Sequence, residues 1–166
     1  MNLARMVRPE LIRLELQTVA PPEPEGDCDR ERYVWSIKEA VIVELAELMA
    51  ESGRVGNANR LRIDLINRER KATTGLAHGV AVPHVRTREA REFLIGFARS
   101  TPGVPFACLD GGLAHIFLVL IAPPYDDTLY LRIYKQIAEA FTFRDAGRTL
   151  QEAENEGEVL RALKDL

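Results

Sequence analysis

Residues 114–122, Ala114-His115-Ile116-Phe117-Leu118-Val119-Leu120-Ile121-Ala122, are the stretch on which the fold turns. Side chains of an extended chain alternate between two faces, and here both faces are apolar. A strand over this segment must therefore be covered from both sides. Residues 93–98 have the same character, with Phe93, Ile95 and Phe97 set against Leu94, Gly96 and Ala98. At seven residues, the apolar run 116–122 is too short to cross a bilayer.

Working outward, the covering helices can be read on both sides of these strands. Ser36 and Glu39 have the spacing of a capping box, followed by Ile37, Val41, Leu45 and Leu48 on one face and Gly53 as the stop. A second helix is expected from Asn57 to about Glu69, with Leu61 and Leu65 inward and Arg60, Arg62 and Asp64 outward. Downstream, Asp126 or Asp127 can cap a third, whose inward face is Tyr130, Ile133, Tyr134, Ile137, Ala138 and Phe141. A last short helix over 158–166 buries Val159, Leu160 and Leu163. The alternation of Ile12, Leu14 and Leu16 predicts an opening strand, and residues 80–82 a short one stopped by Pro83. Pro102-Gly103 and Asp110-Gly111-Gly112 read as turns. Strand, two helices, strands, helix, helix is an α/β order, a sheet covered by helices.

Composition narrows the function. The chain has 166 residues, the size of one domain over 1–166, with 46% hydrophobic and 28% charged residues. Lys and Arg total 22 against 25 Asp and Glu, a formal charge of −3, which argues against nucleic acid or an anionic membrane as partner. Arg5, Arg8 and Glu10 interrupt any apolar leader, so no membrane insertion is expected. Two cysteines, Cys28 and Cys108, make neither a disulfide framework nor a zinc site, which suits a reducing cytoplasm. Residues 20–29 (APPEPEGDCD) read as an exposed acidic, proline-rich loop.

With only three histidines in the chain, their placement carries weight. His84 follows Pro83 at the end of the expected short strand, where a side chain is displayed at the rim of a sheet. Neutral imidazole is a usable nucleophile near neutral pH. Around it lie Arg68, Arg70, Lys71, the Thr73 and Thr74 hydroxyls, Arg86 and Arg88 as phosphate partners, and glycines that let backbone amides come close.

The combination Arg68-Glu69, Thr74 and Gly79-Val80-Ala81-Val82-Pro83-His84 resembles the mannitol/fructose-type enzyme IIA domains of the bacterial sugar phosphotransferase system, a group that includes the nitrogen-regulatory IIA proteins. The interval of sixteen residues from Arg68 to His84 matches, as do Gly103-Val104-Pro105-Phe106, Asp110-Gly111-Gly112 and the helix from Asp127. The resemblance implies a single domain with a mixed β-sheet between helices and no cofactor. It implies His84 as acceptor of a phosphoryl group from the phosphocarrier protein HPr or a paralogue, which then passes to a IIB domain or acts as a regulatory signal to a target protein. The absence of attached IIB, IIC or HPr sequence tilts the expectation toward regulation. Arg68 would stabilise the phosphate and Thr74 would line the site, within an apolar docking patch with a polar rim. Where the family has a second histidine, this chain has Tyr130, whose phenol donates a hydrogen bond but carries no charge. His78, Gly79 and Arg86 are the further candidates around the phosphate, His78 and Arg86 as replacements for the missing imidazole.

Other readings of the same residues stay open at this level. His84 and His115 can be structural strand-end histidines, Thr74 a turn or helix cap, Arg86 and Arg88 a solvated turn, Tyr130 a packing residue and Cys108 a small buried hydrophobe. A module that keeps the fold but has lost the relay is the rival function. A metal pair of His78 and His84, as in a metal-dependent hydrolase, fits no zinc spacing, so no metal is expected.

Overall fold

The two apolar strands pair with one another. In the computed structural model, which describes residues 2–26, 29–143 and 146–166, β4 (Leu94–Pro105) and β5 (Leu113–Ala122) run antiparallel, with Leu94 opposite Ile121 and Phe97 opposite Leu118. β1 (Val7–Arg13) joins β4 in parallel. β2 (Val80–Ala81) and β3 (His84–Arg86) both join β5 in parallel, so the sheet is mixed, in the order β1-β4-β5-β2 with β3 also on β5.

Alternation along β5 sorts the molecule into layers. Phe117, Val119 and Ile121 pack with Val41, Leu45, Leu61 and Leu65 of α1 (Arg30–Ala50) and α2 (Ala58–Lys71). Ile116, Leu118 and Leu120 pack on the opposite face with Ile133, Ile137, Leu150 and Val159. Those residues belong to α3 (Asp127–Phe143), α4 (Ala146–Glu152) and α5 (Glu156–Lys164). The expected sheet between helices is therefore the observed architecture. No helix among the described residues is long and apolar enough to cross a membrane.

Local departures each have a physical cause. α1 starts at Arg30, not Ser36: Asp29 caps it by accepting from Arg32 N at 3.1 Å, and Ser36 donates back to the Tyr33 carbonyl from within the helix. β1 lies earlier than the Ile12–Leu14–Leu16 alternation, because beyond Arg13 the chain turns to Glu44, whose carboxylate accepts from Gln17 N, Thr18 N and Thr18 Oγ1. Pro102-Gly103 is a bulge inside β4 rather than a turn between strands; the register slips between Arg99 and Val104, with Gly103 at φ +76°. α4 is an added element held by Arg99, whose Nη1 donates to the carbonyls of Leu150, Gln151 and Ala153 while Nε donates to that of Leu14.

The edges of the sheet are both occupied or broken. Residues 74–76 run along the outer side of β2, with Leu76 N donating to Val80 O and Val82 N to Thr74 O. β1, at the other edge, carries Pro9 and the charged Arg8 and Glu10. Of the acidic loop, residues 20–26 are exposed or half-buried as expected, while Cys28 lies outside the described residues.

Candidate functional site

Pro83 shapes the site by what it lacks. With no N–H it cannot donate to β5, and the strand divides into β2 and β3 without changing register: Ala81 sits opposite Phe117 and His84 opposite Leu120. The Val82 carbonyl points away from the ladder, and there it accepts from the His84 ring, with Nδ1 2.6 Å from Val82 O. A carbonyl can only accept, so Nδ1 carries the proton and Nε2 keeps a lone pair. Arg68 Nη2 lies 3.0 Å from that Nε2 and donates to it. A second bond from Arg68 Nη1 to Ala72 O at 3.0 Å holds the guanidinium at the end of its own helix.

His84 is only 6% exposed. Its pKa is lowered from the ordinary 6.5, chiefly by burial; the Val82 hydrogen bond and Glu69 oppose this, and the Arg68 charge adds to it. The ring is thus held neutral and nucleophilic to lower pH than a free imidazole. Tyr134 and Tyr130 of α3 flank it, with ring centroids 4.7 and 5.8 Å away. Burial raises the Tyr130 phenol to about 12, so it stays a hydrogen-bond donor throughout the neutral range.

His84 lines a cleft of about 900 Å³ between α2, β3 with the residues that follow it, and the start of α3. Its charged lining is Arg60, Asp64, Arg68, Lys71, Arg86, Arg88 and Glu89, with Pro124 and Tyr130 as the main apolar contribution. The mouth thus sets the apolar Val85, Pro124 and Tyr130 within a mainly cationic charged lining. Arg86 lies over the Tyr130 ring at 5.6 Å and pairs with Asp127. Arg88 lines the cleft as an exposed side chain.

Arg68, His84, Tyr130 and Arg86 thus come together, and three other candidates do not. Thr74 is buried and turned to Glu69, donating from N at 2.8 Å and from Oγ1 at 2.6 Å; it fastens the end of α2 and does not line the cleft. His78 and Gly79 sit at the opposite end of the split strand, near His115 and Asp110. Four residues of β5 separate the His84 level from the Ile116 level, on the order of 13 Å. His78 therefore cannot stand in for an imidazole at the cleft, nor share a metal ion with His84. The turn forces this, since His78 takes φ +59° and Gly79 φ +75° and the chain reverses there before entering β2.

Several contributors have weaker signals in the sequence. Arg60, Asp64, Asn67 and Lys71 fall at helical spacing and share the face that lines the cleft, a periodicity legible in principle. Asp64 accepts from Thr87 Oγ1 at 2.6 Å, tying α2 to the segment after β3. Behind the site, Lys38 of α1 donates to Glu69 at 2.6 Å and to Thr73 Oγ1 at 3.1 Å, both partners of the ion pair being almost wholly buried. Nothing in the spacing of residues 38 and 69 announces this pair. His115 takes the structural role, its Nδ1 3.1 Å from Ser100 O, and Cys108 is buried, which raises its thiol to about 11.

A helix-covered mixed sheet with a neutral imidazole held against a guanidinium at its edge defines a class of α/β protein with an acceptor nitrogen in a cationic cleft. Residues 32–166 match the family described as "Phosphoenolpyruvate-dependent sugar phosphotransferase system, EIIA 2", and the chain belongs to that family. It is 29% identical over 129 residues to the fructose-specific EIIA component of Haloferax volcanii, covering 78% of this chain and 84% of that protein. It is 28% identical over 123 residues to the fructose-specific EIIABC component of Bacillus subtilis, covering 74% of this chain but spanning only 19% of that relative's length. Among solved structures, the nitrogen regulatory protein IIA-Ntr of Neisseria meningitidis superposes with a TM-score of 0.80 at 20% identity, over 97% of this chain and 98% of that one. The Escherichia coli complex of enzyme IIA mannitol with phosphorylated enzyme IIB mannitol gives 0.70 at 18% identity, over 95% and 96%.

Proposed function

We propose that His84 accepts a phosphoryl group at Nε2 from phosphorylated HPr or a paralogue, in the cytoplasm. It then either relays the group to a IIB domain or holds it as a signal to a regulated target. The observation that carries this reading is the pair of contacts on one ring: Nδ1–H to the Val82 carbonyl at 2.6 Å, and Arg68 Nη2 3.0 Å from Nε2. A P–N bond forms at Nε2 as the donor's bond to phosphorus breaks. The positive charge left on the ring is supported by the Val82 oxygen, and the negative oxygens meet Arg68. Such transfer needs positioning and charge stabilisation and no further covalent chemistry from the protein.

Incubation with phosphoenolpyruvate, enzyme I and HPr, followed by intact mass, tests the proposal. One acid-labile phosphate, lost in His84→Ala, is the expected result; an unmodified chain, or a phosphate retained in His84→Ala, overturns it. Tyr130 favours a second reading, a binding module without the relay, because a phenol replaces the family's second imidazole. In the relay reading the Tyr130 hydroxyl donates to a phosphate oxygen, and Tyr130→Phe slows phosphorylation about tenfold or more, the worth of a hydrogen bond to a charged group.

A further inference from the structure

The cleft is cationic in a chain that is not. Arg60, Arg68, Lys71, Arg86 and Arg88 face only Asp64 and Glu89 across it, whereas the whole chain carries −3. Internal pairs account for two of the five: Arg60 with Asp64 at 3.2 Å, and Arg86 with Asp127. Arg68 is committed to His84. Lys71 and Arg88 are left, both exposed, and neither makes an ion pair among the described residues. They stand on separate elements, at the end of α2 and two residues past β3, so they border the mouth rather than sharing one spot.

Two more observations bear on what meets this mouth. His84 is 6% exposed, so a reacting group must enter the cleft and bring its own surroundings against the rim. Next in sequence to the cleft residues Pro124 and Tyr130, Tyr125 is 81% and Leu131 64% exposed, two large apolar side chains left in water. Unpaired cations on a cleft rim, with exposed apolar side chains on the segment that supplies Pro124 and Tyr130, fit a protein surface of opposite charge better than a free small anion, which has no use for the apolar side chains.

We infer that the protein exchanging phosphoryl groups with His84 carries an acidic ring around its own reacting group. Lys71 and Arg88 meet its carboxylates, and Tyr125 and Leu131 are covered when it docks. The inference rests on His84 being the acceptor, and it adds the chemistry of the partner. Charges at such a rim act mainly on the rate of encounter, so the effect is largest at low salt.

The experiment separates the two ideas. Phosphoramidate, a small donor with no protein surface, is first used to label the chain; mass analysis must find the phosphate on His84, and its absence there removes the acceptor reading and this inference with it. Two phosphocarrier donors are then compared, differing only in the exposed residues ringing the donor histidine, all Glu in one and all Lys in the other. Each is loaded with phosphoramidate and its loading verified by mass. The Glu-ringed donor is expected to transfer at least about tenfold faster at low salt, with the advantage fading between about 20 and 300 mM salt. In Lys71→Glu/Arg88→Glu the order of the donors reverses. Equal rates, a faster Lys-ringed donor or a preference indifferent to salt overturns the inference while leaving phosphoramidate labelling intact. The comparison on the unmodified chain stands even if the double variant fails to fold.

Discussion

The Val82 carbonyl decides which nitrogen of His84 keeps its lone pair. By accepting from Nδ1–H it fixes the tautomer and leaves Nε2 bare, and Arg68 reaches that atom from a different layer of the molecule. Replacing Arg68 by Ala is expected to slow phosphorylation of His84 by about 10²–10³, the usual cost of removing one preorganised donor from developing charge. Stopped incubations analysed by mass give the rate. Protonation supplies a second test. Because burial lowers the folded pKa of His84 below the 6.5 of the unfolded chain, the unfolded state takes up a proton first as pH falls. Stability should therefore be level above pH 6.5, decline as pH drops below it, and level off once the native ring protonates. Urea titrations across that range should show this slope for the wild type and a smaller one for His84→Asn. At this scale the sequence was legible where chemistry and interval coincide, as for Arg68 and His84. It misled where proximity along the chain stood in for proximity in space: His78 and Gly79 are near His84 in number, yet a left-handed turn and a strand lie between them.

The end of α2 shows how an element is held so that its side chains stay in place. Glu69 points into the protein while its neighbour Arg68 points to the cleft, and Glu69 is fixed by Lys38 and by the N–H and hydroxyl of Thr74. With 5% and 1% of their side chains exposed, Lys38 and Glu69 form a buried pair whose attraction is offset by the cost of taking both charges out of water. Lys38→Met should cost about 3–5 kcal/mol in chemical denaturation, since it strands a buried carboxylate. Where helices and strands begin was less legible than that they exist. The capping-box spacing of Ser36 and Glu39 is real but sits inside α1, because Asp29 offers a cap two turns earlier and the added turns run over the surface, with buried residues beginning only at Ile37. Likewise Pro102-Gly103 has the composition of a turn, and only the pairing of Val104 with Ala114 reveals that β4 continues through it.

Across the whole molecule, two cores share one sheet, an arrangement already implied by strands apolar on both faces. The exception is α4, a seven-residue helix too short to leave a clear period, which depends on a partner far away in sequence. Arg99 Nη1 gathers the carbonyls of Leu150 and Gln151 in the last turn of α4 and of Ala153 just past it, lying 2.6–3.2 Å from them, and so couples the carboxyl-terminal layer to β4. Arg99→Met should leave those carbonyls without their donor, cost about 1–3 kcal/mol and speed limited proteolysis between α3 and α5. The sheet's borders have a consequence for life in a crowded solution. One margin carries the chain's own 74–76 segment along β2 and is broken at Pro83 before the three-residue β3, and the other is interrupted by Pro9 between two charged residues. A second copy therefore finds no uninterrupted row of backbone groups to extend, and strand-by-strand polymerisation, the common hazard of open sheets, is blocked at both ends.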